Sequence, residues 1–209
     1  MRAASTSFAG MTRIRFEGLR PAPAALSARW RSPVVSWVVV SSLARPYHRS
    51  MHPNVARVLE AARVAGLQID VERFPAGTRT AEDAASAVGC DVAQIVKSLV
   101  FVADEQPVLA LVSGANRLDP GLLAAALGAG AARRADGDEA RAATGYAIGG
   151  VPPFGHRTPL PVVIDRDLLA HERLWAAAGL PDAVFAIAPD DLVRASGGRA
   201  AEVAASALG

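Results

Sequence analysis

The sequence contains one cysteine, one lysine and few aromatic side chains, which make up 5% of its 209 residues. The single thiol, Cys90, can form neither an internal disulfide nor a metal site built from several thiolates. The longest apolar run, residues 34–43, is interrupted by serines and is far shorter than the ~20 residues that cross a membrane. Aromatic side chains interleaved with basic ones, as in RNA-binding modules, are missing too. These absences exclude a disulfide-stapled domain and a membrane-spanning helix.

Apolar residues, in contrast, are plentiful. They make up 51% of the chain, charged residues make up 20%, and alanine occurs 45 times. Such a composition supplies a packed core with many Ala-rich helices and excludes a mainly disordered chain. The length predicts one to one and a half domains, at ~100–200 residues each.

Charge is distributed unevenly along the chain, whose net charge is +2. Residues 1–50 contain eight arginines and one acidic residue, Glu17, so their net charge is +7. Residues 51–209 contain 14 basic and 19 acidic residues, so their net charge is −5. Because the larger part is acidic, we expect no broad electrostatic footprint on nucleic acid.

The first fifty residues are rich in arginine and serine and show no regular periodicity. Three interpretations fit: a translated region ahead of a later start at Met51, a targeting segment, or a genuine appendage. We therefore predict a non-core N-terminal extension over residues 1–50 and a single domain over residues 51–209.

Local signals predict the elements of this domain. Helices are expected over residues 53–66, 80–89, 119–127, 136–143 and 189–197, and strands over residues 68–74, 95–103, 108–113, 161–165 and 183–188. The clearest pair is the hairpin of the second and third strands, joined by the turn Asp104–Pro107. This order predicts an α/β (α+β) domain with a mixed sheet.

Lys97, the only lysine, lies on a strand whose two faces are both largely apolar. Ile95, Leu99 and Phe101 share its face, and an ammonium there must reach an edge or an anionic partner. One interpretation is a solvent-exposed strand lysine; the other is a compact positive charge that meets a phosphate oxygen.

A loop over residues 144–156 is the second candidate. Gly149 and Gly150 can expose consecutive backbone N–H groups, and Pro152 and Pro153 stiffen the segment that follows. Such a loop suits a carbonyl oxygen or a phosphate, although an ordered turn explains it equally well. His156 at its end is either a proton donor or a structural residue. No set of His, Cys and carboxylates has metal-ligand spacing, so we expect neither a metal nor a cofactor.

Three segments, residues 94–101 with Lys97, residues 144–156 with the Gly149–Pro153 loop, and residues 160–165, resemble the YbaK/EbsC family. This family includes the editing domain of bacterial prolyl-tRNA synthetases and its free-standing relatives. The resemblance implies a single YbaK-like domain with a mixed, barrel-like sheet flanked by helices. It also implies hydrolysis, in trans and in the cytoplasm, of the ester of a misacylated tRNA, with tRNA(Pro) as one candidate.

The resemblance further implies roles for individual residues. Lys97 would anchor the phosphate of the terminal adenosine, and the Gly149–Pro153 loop would orient the aminoacyl carbonyl through Gly149 and Gly150. Substrate-binding positions carried over are Tyr146, Pro153, Phe154 and His156. Because the family's Ser-Pro-Leu-Gly-Gln-like segment reads Pro152-Pro-Phe-Gly-His156 here, Phe154 and His156 either line a different pocket or hold the loop.

Expected partners are the aminoacyl-tRNA 3′ end and an aminoacyl-tRNA synthetase, without a membrane. The alternative function is a non-catalytic module of the same fold that binds the tRNA end or a protein.

Overall fold

The computed structural model describes residues 51–74 and 80–205. The N-terminal extension that we predict over residues 1–50 lies outside the described residues. Within those two ranges no helix is long and apolar enough to cross a membrane.

Five α-helices and eight strands make up the described part of the chain. The helices are α1 (Pro53–Val64), α2 (Ala81–Val88), α3 (Pro120–Leu127), α4 (Gly137–Thr144) and α5 (Pro189–Ser196). The strands are β1 (Val71–Arg73), β2 (Ile95–Ala103), β3 (Gln106–Ser113), β4 (Ala132–Arg134), β5 (Val162–Asp165), β6 (Leu174–Ala177), β7 (Ala183–Ile187) and β8 (Arg199–Ala201). Short 3-10 helices occupy Val92–Gln94 and Arg166–Ala170.

Side-chain caps fix where the helices begin. The Thr80 hydroxyl accepts from the Asp83 N–H, whose carboxylate accepts in return from the Thr80 N–H, so α2 starts with a reciprocal capping box. Asp136 forms the same arrangement ahead of α4, and Asp119 caps α3 next to the proline at its first position. The predicted helices are therefore confirmed, within one or two residues at their ends.

All eight strands form one mixed sheet in the order β1-β7-β6-β2-β3-β5-β8, with β4 also pairing to β2. β2 runs antiparallel to β3 and β4 and parallel to β6. This confirms the α/β fold with a mixed sheet. β4, β6 and β8 were not predicted, and β1 is shorter than the predicted strand over residues 68–74.

The hairpin turn differs from its prediction. β3 already starts at Gln106, and Pro107 pairs with Val102 inside the ladder. The turn consists of Asp104 and Glu105 alone, both with positive φ, 44° and 65°. A two-residue turn of this kind matches the right-handed twist of the paired strands, and the strands therefore extend further than the polar sequence suggested.

Both faces of β2 are covered, as its apolar pattern predicts. Val96 and Val100 belong to the larger core cluster, which also contains residues of α1, α4 and α5. Phe101 belongs to a second cluster with α3, and Ile95 packs against α2. β2 therefore lies at the centre of the domain, where charged or polar side chains need a specific environment.

Candidate active site

One edge of β2 is paired only at its two ends. β6 pairs with Ile95 and Val96, and β4 pairs with residues 101–103. Within the described ranges no strand lies beside residues 97–99 on that side. The Val100 carbonyl accepts from the Ala135 N–H at 3.1 Å on the same edge. Because successive peptide groups of a strand point to alternate edges, the N–H and C=O of Ser98 face this gap.

A pocket of about 310 Å³ covers the open edge. Its walls are formed by α2, β2, the loop around Gly149, β6 and the segment before β7. Most of the lining is apolar, and Lys97 and Arg134 are its only charged side chains among the described residues. A cavity that combines an apolar wall with two cations suits a ligand with an anionic group and an apolar body.

Lys97 is half-buried in this pocket, and backbone oxygens hold its ammonium. Nζ donates to the Gly114 carbonyl at 3.0 Å and to the Asn116 carbonyl. Burial lowers the pKa of Lys97, while Glu82 and Asp165 act in the opposite direction. An ammonium has three donors, so one N–H remains for a ligand.

Asp165, at the end of β5, fixes the turn that supplies those carbonyls. Its carboxylate is 1% exposed and accepts from the Ser113 N–H at 3.1 Å and from Asn116 Nδ2 at 2.8 Å. Asp167 accepts from the same amide nitrogen at 2.7 Å. Asp165 is not among the site residues predicted from the sequence, because its link to Lys97 depends on the parallel pairing of β3 with β5.

The two glycines of the loop differ in position. Gly149 lines the pocket and has a φ of +87°, a conformation that suits glycine. Gly150 lies outside the lining, and its N–H donates to the Ala147 carbonyl at 3.0 Å. A Cβ at Gly150 would come within 2.9 Å of the Leu180 Cα, so this glycine permits close backbone packing.

The four positions assigned to substrate binding lie behind the loop and outside the pocket lining. Tyr146 is fully buried, Pro153 and Phe154 are buried, and Phe154 packs against Phe185 with ring centroids 5.6 Å apart. His156 Nε2 lies 2.8 Å from the Pro152 carbonyl, which can only accept, so Nε2 carries the hydrogen. In this arrangement all four side chains hold the loop.

Burial also changes the acidity of two of these groups. It lowers the pKa of His156, which nearby Arg57 lowers further, and it raises the pKa of Tyr146. Both side chains are therefore held in their neutral forms near pH 7, and both serve as hydrogen-bonding groups of the loop.

Helix α1 holds the loop from outside, which sequence reasoning did not predict. Arg57 Nε donates to the Tyr146 hydroxyl at 2.9 Å, and its Nη2 donates to the Gly145 carbonyl at 3.0 Å. The Tyr146 hydroxyl donates onward to the Gly155 carbonyl at 2.8 Å. Asn54 reaches the Gly179 carbonyl at 3.2 Å, beside the segment that packs on Gly150. The bonds that Arg57 and Asn54 donate connect residues 88 to 125 positions apart, so no local pattern reveals them.

Other chemistry-bearing groups do not converge. Across residues 51–74 and 80–205, no group of three or more His, Cys, Asp and Glu side chains could hold a metal ion. Cys90 is partly buried, and burial raises the pKa of its thiol, which disfavours the nucleophilic thiolate.

Known proteins resemble this chain over the same region. The profile of the aminoacyl-tRNA editing domain matches residues 75–195. The "Putative Cys-tRNA(Pro)/Cys-tRNA(Cys) deacylase EbsC" of Enterococcus faecalis is 28% identical over 125 residues, which cover 59% of this chain and 76% of that protein. A "Proline--tRNA ligase" of Citrifermentans bemidjiense is 36% identical over 106 residues, covering 51% of this chain and 18% of the ligase.

A solved structure is similar over its whole length. It is described as a "putative trans-editing enzyme for prolyl tRNA synthetase", with 46% identity and a TM-score of 0.71. The match covers 75% of this chain and 100% of that one. The similarity therefore spans the pocket, its floor on β2 and the glycine loop.

Proposed function

Because the chain belongs to the aminoacyl-tRNA editing domain family, we propose that it is a deacylase that hydrolyses the ester of a misacylated tRNA in trans. Support comes from relatives named as a Cys-tRNA deacylase and as a trans-editing enzyme for prolyl-tRNA synthetase. A further relative is a proline–tRNA ligase, so tRNA(Pro) is the first tRNA to test. The reaction would take place in the cytoplasm, where aminoacyl-tRNA is made and used, with a synthetase as a candidate partner.

One observation carries this proposal: Lys97 and Gly149 line the same pocket although fifty residues separate them. A terminal aminoacyl-adenosine offers an anionic phosphate, an apolar base and an ester carbonyl. The pocket offers a cation, apolar walls and a glycine loop. Each part of the substrate therefore has a counterpart in the pocket: the cation for the phosphate, the apolar walls for the base and the glycine loop for the ester carbonyl.

In the proposed reaction, Lys97 binds the phosphate of the terminal adenosine with the N–H that the turn leaves free. The Gly149–Pro153 loop orients the aminoacyl carbonyl, with Gly149 at the carbonyl and Gly150 packed behind it. The oxygen of a water molecule, or of a group of the substrate, adds to the carbonyl carbon. The bond between that carbon and the ribose oxygen then breaks, and the ribose oxygen takes up the proton that the attacking group gives up. Because no Cys or His is among the described residues that line the pocket, catalysis rests on positioning and on stabilising the oxyanion.

The test is a deacylation screen of the purified full chain against mischarged tRNAs, starting with tRNA(Pro). We expect hydrolysis of at least one, and loss of that activity in Lys97→Ala with an unchanged circular dichroism spectrum. Lys97→Arg is the matched control. It keeps the positive charge, but its planar guanidinium cannot replace the compact ammonium that the Gly114 and Asn116 carbonyls hold. Full activity in Lys97→Ala would refute the role of the lysine. Binding of aminoacyl-tRNA by the unaltered protein without hydrolysis would favour the non-catalytic module.

A further inference from the structure

Ser98 carries a buried hydroxyl without a hydrogen-bond partner in the described part of the chain. It also lines the pocket. An unpaired buried hydroxyl destabilises the folded protein, so its presence beside a pocket points to a ligand that satisfies it. Valine or alanine would fit the alternation of Val96 and Val100 on this face of β2, which makes the serine an exception to the pattern.

The backbone of Ser98 is available as well. Its C=O points to the edge of β2 that lies between β4 and β6, where the described residues provide no ladder partner. Ser98 therefore places a backbone carbonyl oxygen at the open edge beside the cavity, and its buried hydroxyl lies next to that carbonyl. Two oxygen acceptors in close proximity suit a donor with several hydrogens.

The position of Ser98 on β2 indicates which part of the proposed substrate lies beside it. Neighbouring side chains of a strand point to opposite faces, so Ser98 and Lys97 lie on different sides of β2. Val96 and Val100, which share the face of Ser98, belong to the same core cluster as Val151 of the Gly149–Pro153 loop. If the phosphate lies at Lys97 and the carbonyl at Gly149, the aminoacyl group lies on the side of Ser98.

An aminoacyl ester has an α-amino group one carbon away from its carbonyl, and near pH 7 this group is largely protonated. A buried ammonium needs hydrogen-bond acceptors. No Asp or Glu is present among the described lining residues, so neutral oxygens must serve.

We propose that Ser98 binds the α-amino group of the aminoacyl moiety through its hydroxyl and its backbone carbonyl. This inference rests on the proposed function, because it takes the orientation of the substrate from it. It explains why the central strand of the sheet retains a hydroxyl at this position. It also gives the site a means of distinguishing aminoacyl esters from simple acyl esters.

The test measures binding, so that it remains informative even if no tRNA is hydrolysed. Two non-hydrolysable probes are compared by calorimetry with the full chain: 3′-alanylamino-3′-deoxyadenosine 5′-phosphate and its propionyl analogue, which lacks only the amine. We expect the unaltered protein to bind the alanyl compound roughly 10-fold or more tightly, as for a hydrogen bond to a charged group. In Ser98→Ala the preference for the alanyl compound should fall to about 2-fold or less. Ser98→Thr keeps the hydroxyl and should therefore keep this preference.

Thermal unfolding separates this effect from misfolding. Removing a hydroxyl that has no partner leaves no group unsatisfied, so Ser98→Ala should melt at the same temperature as the unaltered protein or higher. Equal binding of the two probes by the unaltered protein, no binding of either, or an unchanged preference in Ser98→Ala would each overturn the inference. If the probes behave as expected but no mischarged tRNA is hydrolysed, the deacylase proposal fails and the amine site remains.

Discussion

The two walls of the pocket are held in different ways. On the lysine side, Lys97 is held by backbone carbonyls of the turn 113–116, and the buried carboxylate of Asp165 fixes that turn. On the loop side, Gly150 lies against the Leu180 backbone and Phe154 against Phe185. Charge and hydrogen bonds hold the first wall, whereas shape holds most of the second.

This difference separates two kinds of substitution. Removal of a buried hydrogen-bond acceptor should disturb the lysine side and leave the loop side intact. A change that adds a methyl group should do the reverse. The single lysine makes the comparison measurable, because lysine labelled with ¹³C and ¹⁵N gives the signals of Lys97 alone.

The largest effect is expected from Asp165→Ala, on the lysine side. It leaves the buried Ser113 N–H without its acceptor and removes one of the two carboxylates that accept from the Asn116 amide. The free energy of unfolding should fall by roughly 3 kcal/mol. Urea denaturation measures this loss, and the Lys97 resonance should shift at the same time.

Asp167→Ala is the matched control, because Asp167 is exposed and bonds to the same amide. It should change the free energy of unfolding by less than about 1 kcal/mol. If Asp165→Ala left the Lys97 signal in place, the turn would not depend on Asp165, and the two walls would not differ as described.

Gly150→Ala tests the loop side and comes second. Its Cβ would lie 2.9 Å from the Leu180 Cα, which is backbone and cannot rotate away. We expect a loss of about 1–3 kcal/mol in stability, as for other overpacked sites, with lower deacylation. The Lys97 resonance should stay in place.

Gly149→Ala is the informative comparison with it. There the nearest atoms lie at 3.8 Å, so the added methyl has room, but φ is +87°. The cost should come from backbone strain of about 1–2 kcal/mol. A larger loss in Gly149→Ala than in Gly150→Ala would contradict the steric account of the second glycine.

The sequence predicted the local parts of this molecule well. Thr80, Asp119 and Asp136 stand directly ahead of helices, and their side chains bond to N–H groups two or three residues away. Such signals act within one helical turn, so neighbouring residues in the sequence are enough to predict them. β4, β6 and β8 have only three or four residues each, which is too short for a periodicity to show, and β4 and β8 pair with strands that are distant in sequence.

The same distinction applies to the site. Lys97 and Gly149 stand out by residue type and conformational freedom, and both line the pocket. Ser98 becomes notable only because β4 and β6 leave a gap beside it. Arg57 acts on Tyr146 across 89 positions of sequence. Contacts that depend on which strands lie next to each other could not be predicted from composition or spacing.

Tyr146→Phe is expected to have a smaller effect than either glycine substitution on the loop side. It removes the hydroxyl that accepts from Arg57 and donates to the Gly155 carbonyl, yet it keeps the packed ring. The free energy of unfolding should fall by about 1 kcal/mol or less. The Lys97 resonance should not move; a shift as large as that in Asp165→Ala would show that the two walls are coupled.

The smallest effect should come from Glu82→Gln, which removes a distant charge on the lysine side. Burial lowers the pKa of Lys97 below its ordinary value of 10.5, and the negative charges of Glu82 and Asp165 partly oppose this. A lowered pKa means that the ammonium is lost, as pH rises, at a lower pH than in an exposed lysine. Without Glu82 the charged form is less favoured, so the midpoint should move further down.

Titration of the labelled lysine measures this midpoint directly, with Glu60→Gln as the control, because Glu60 pairs with Arg63 on α1. If Lys97 binds the substrate phosphate as an ammonium, the alkaline limb of deacylation should follow the same midpoint in both variants. A midpoint that rises in Glu82→Gln would reverse the sign of this interaction. The protonation of Lys97 would then depend on the two backbone carbonyls that hold it and not on the surrounding negative charges.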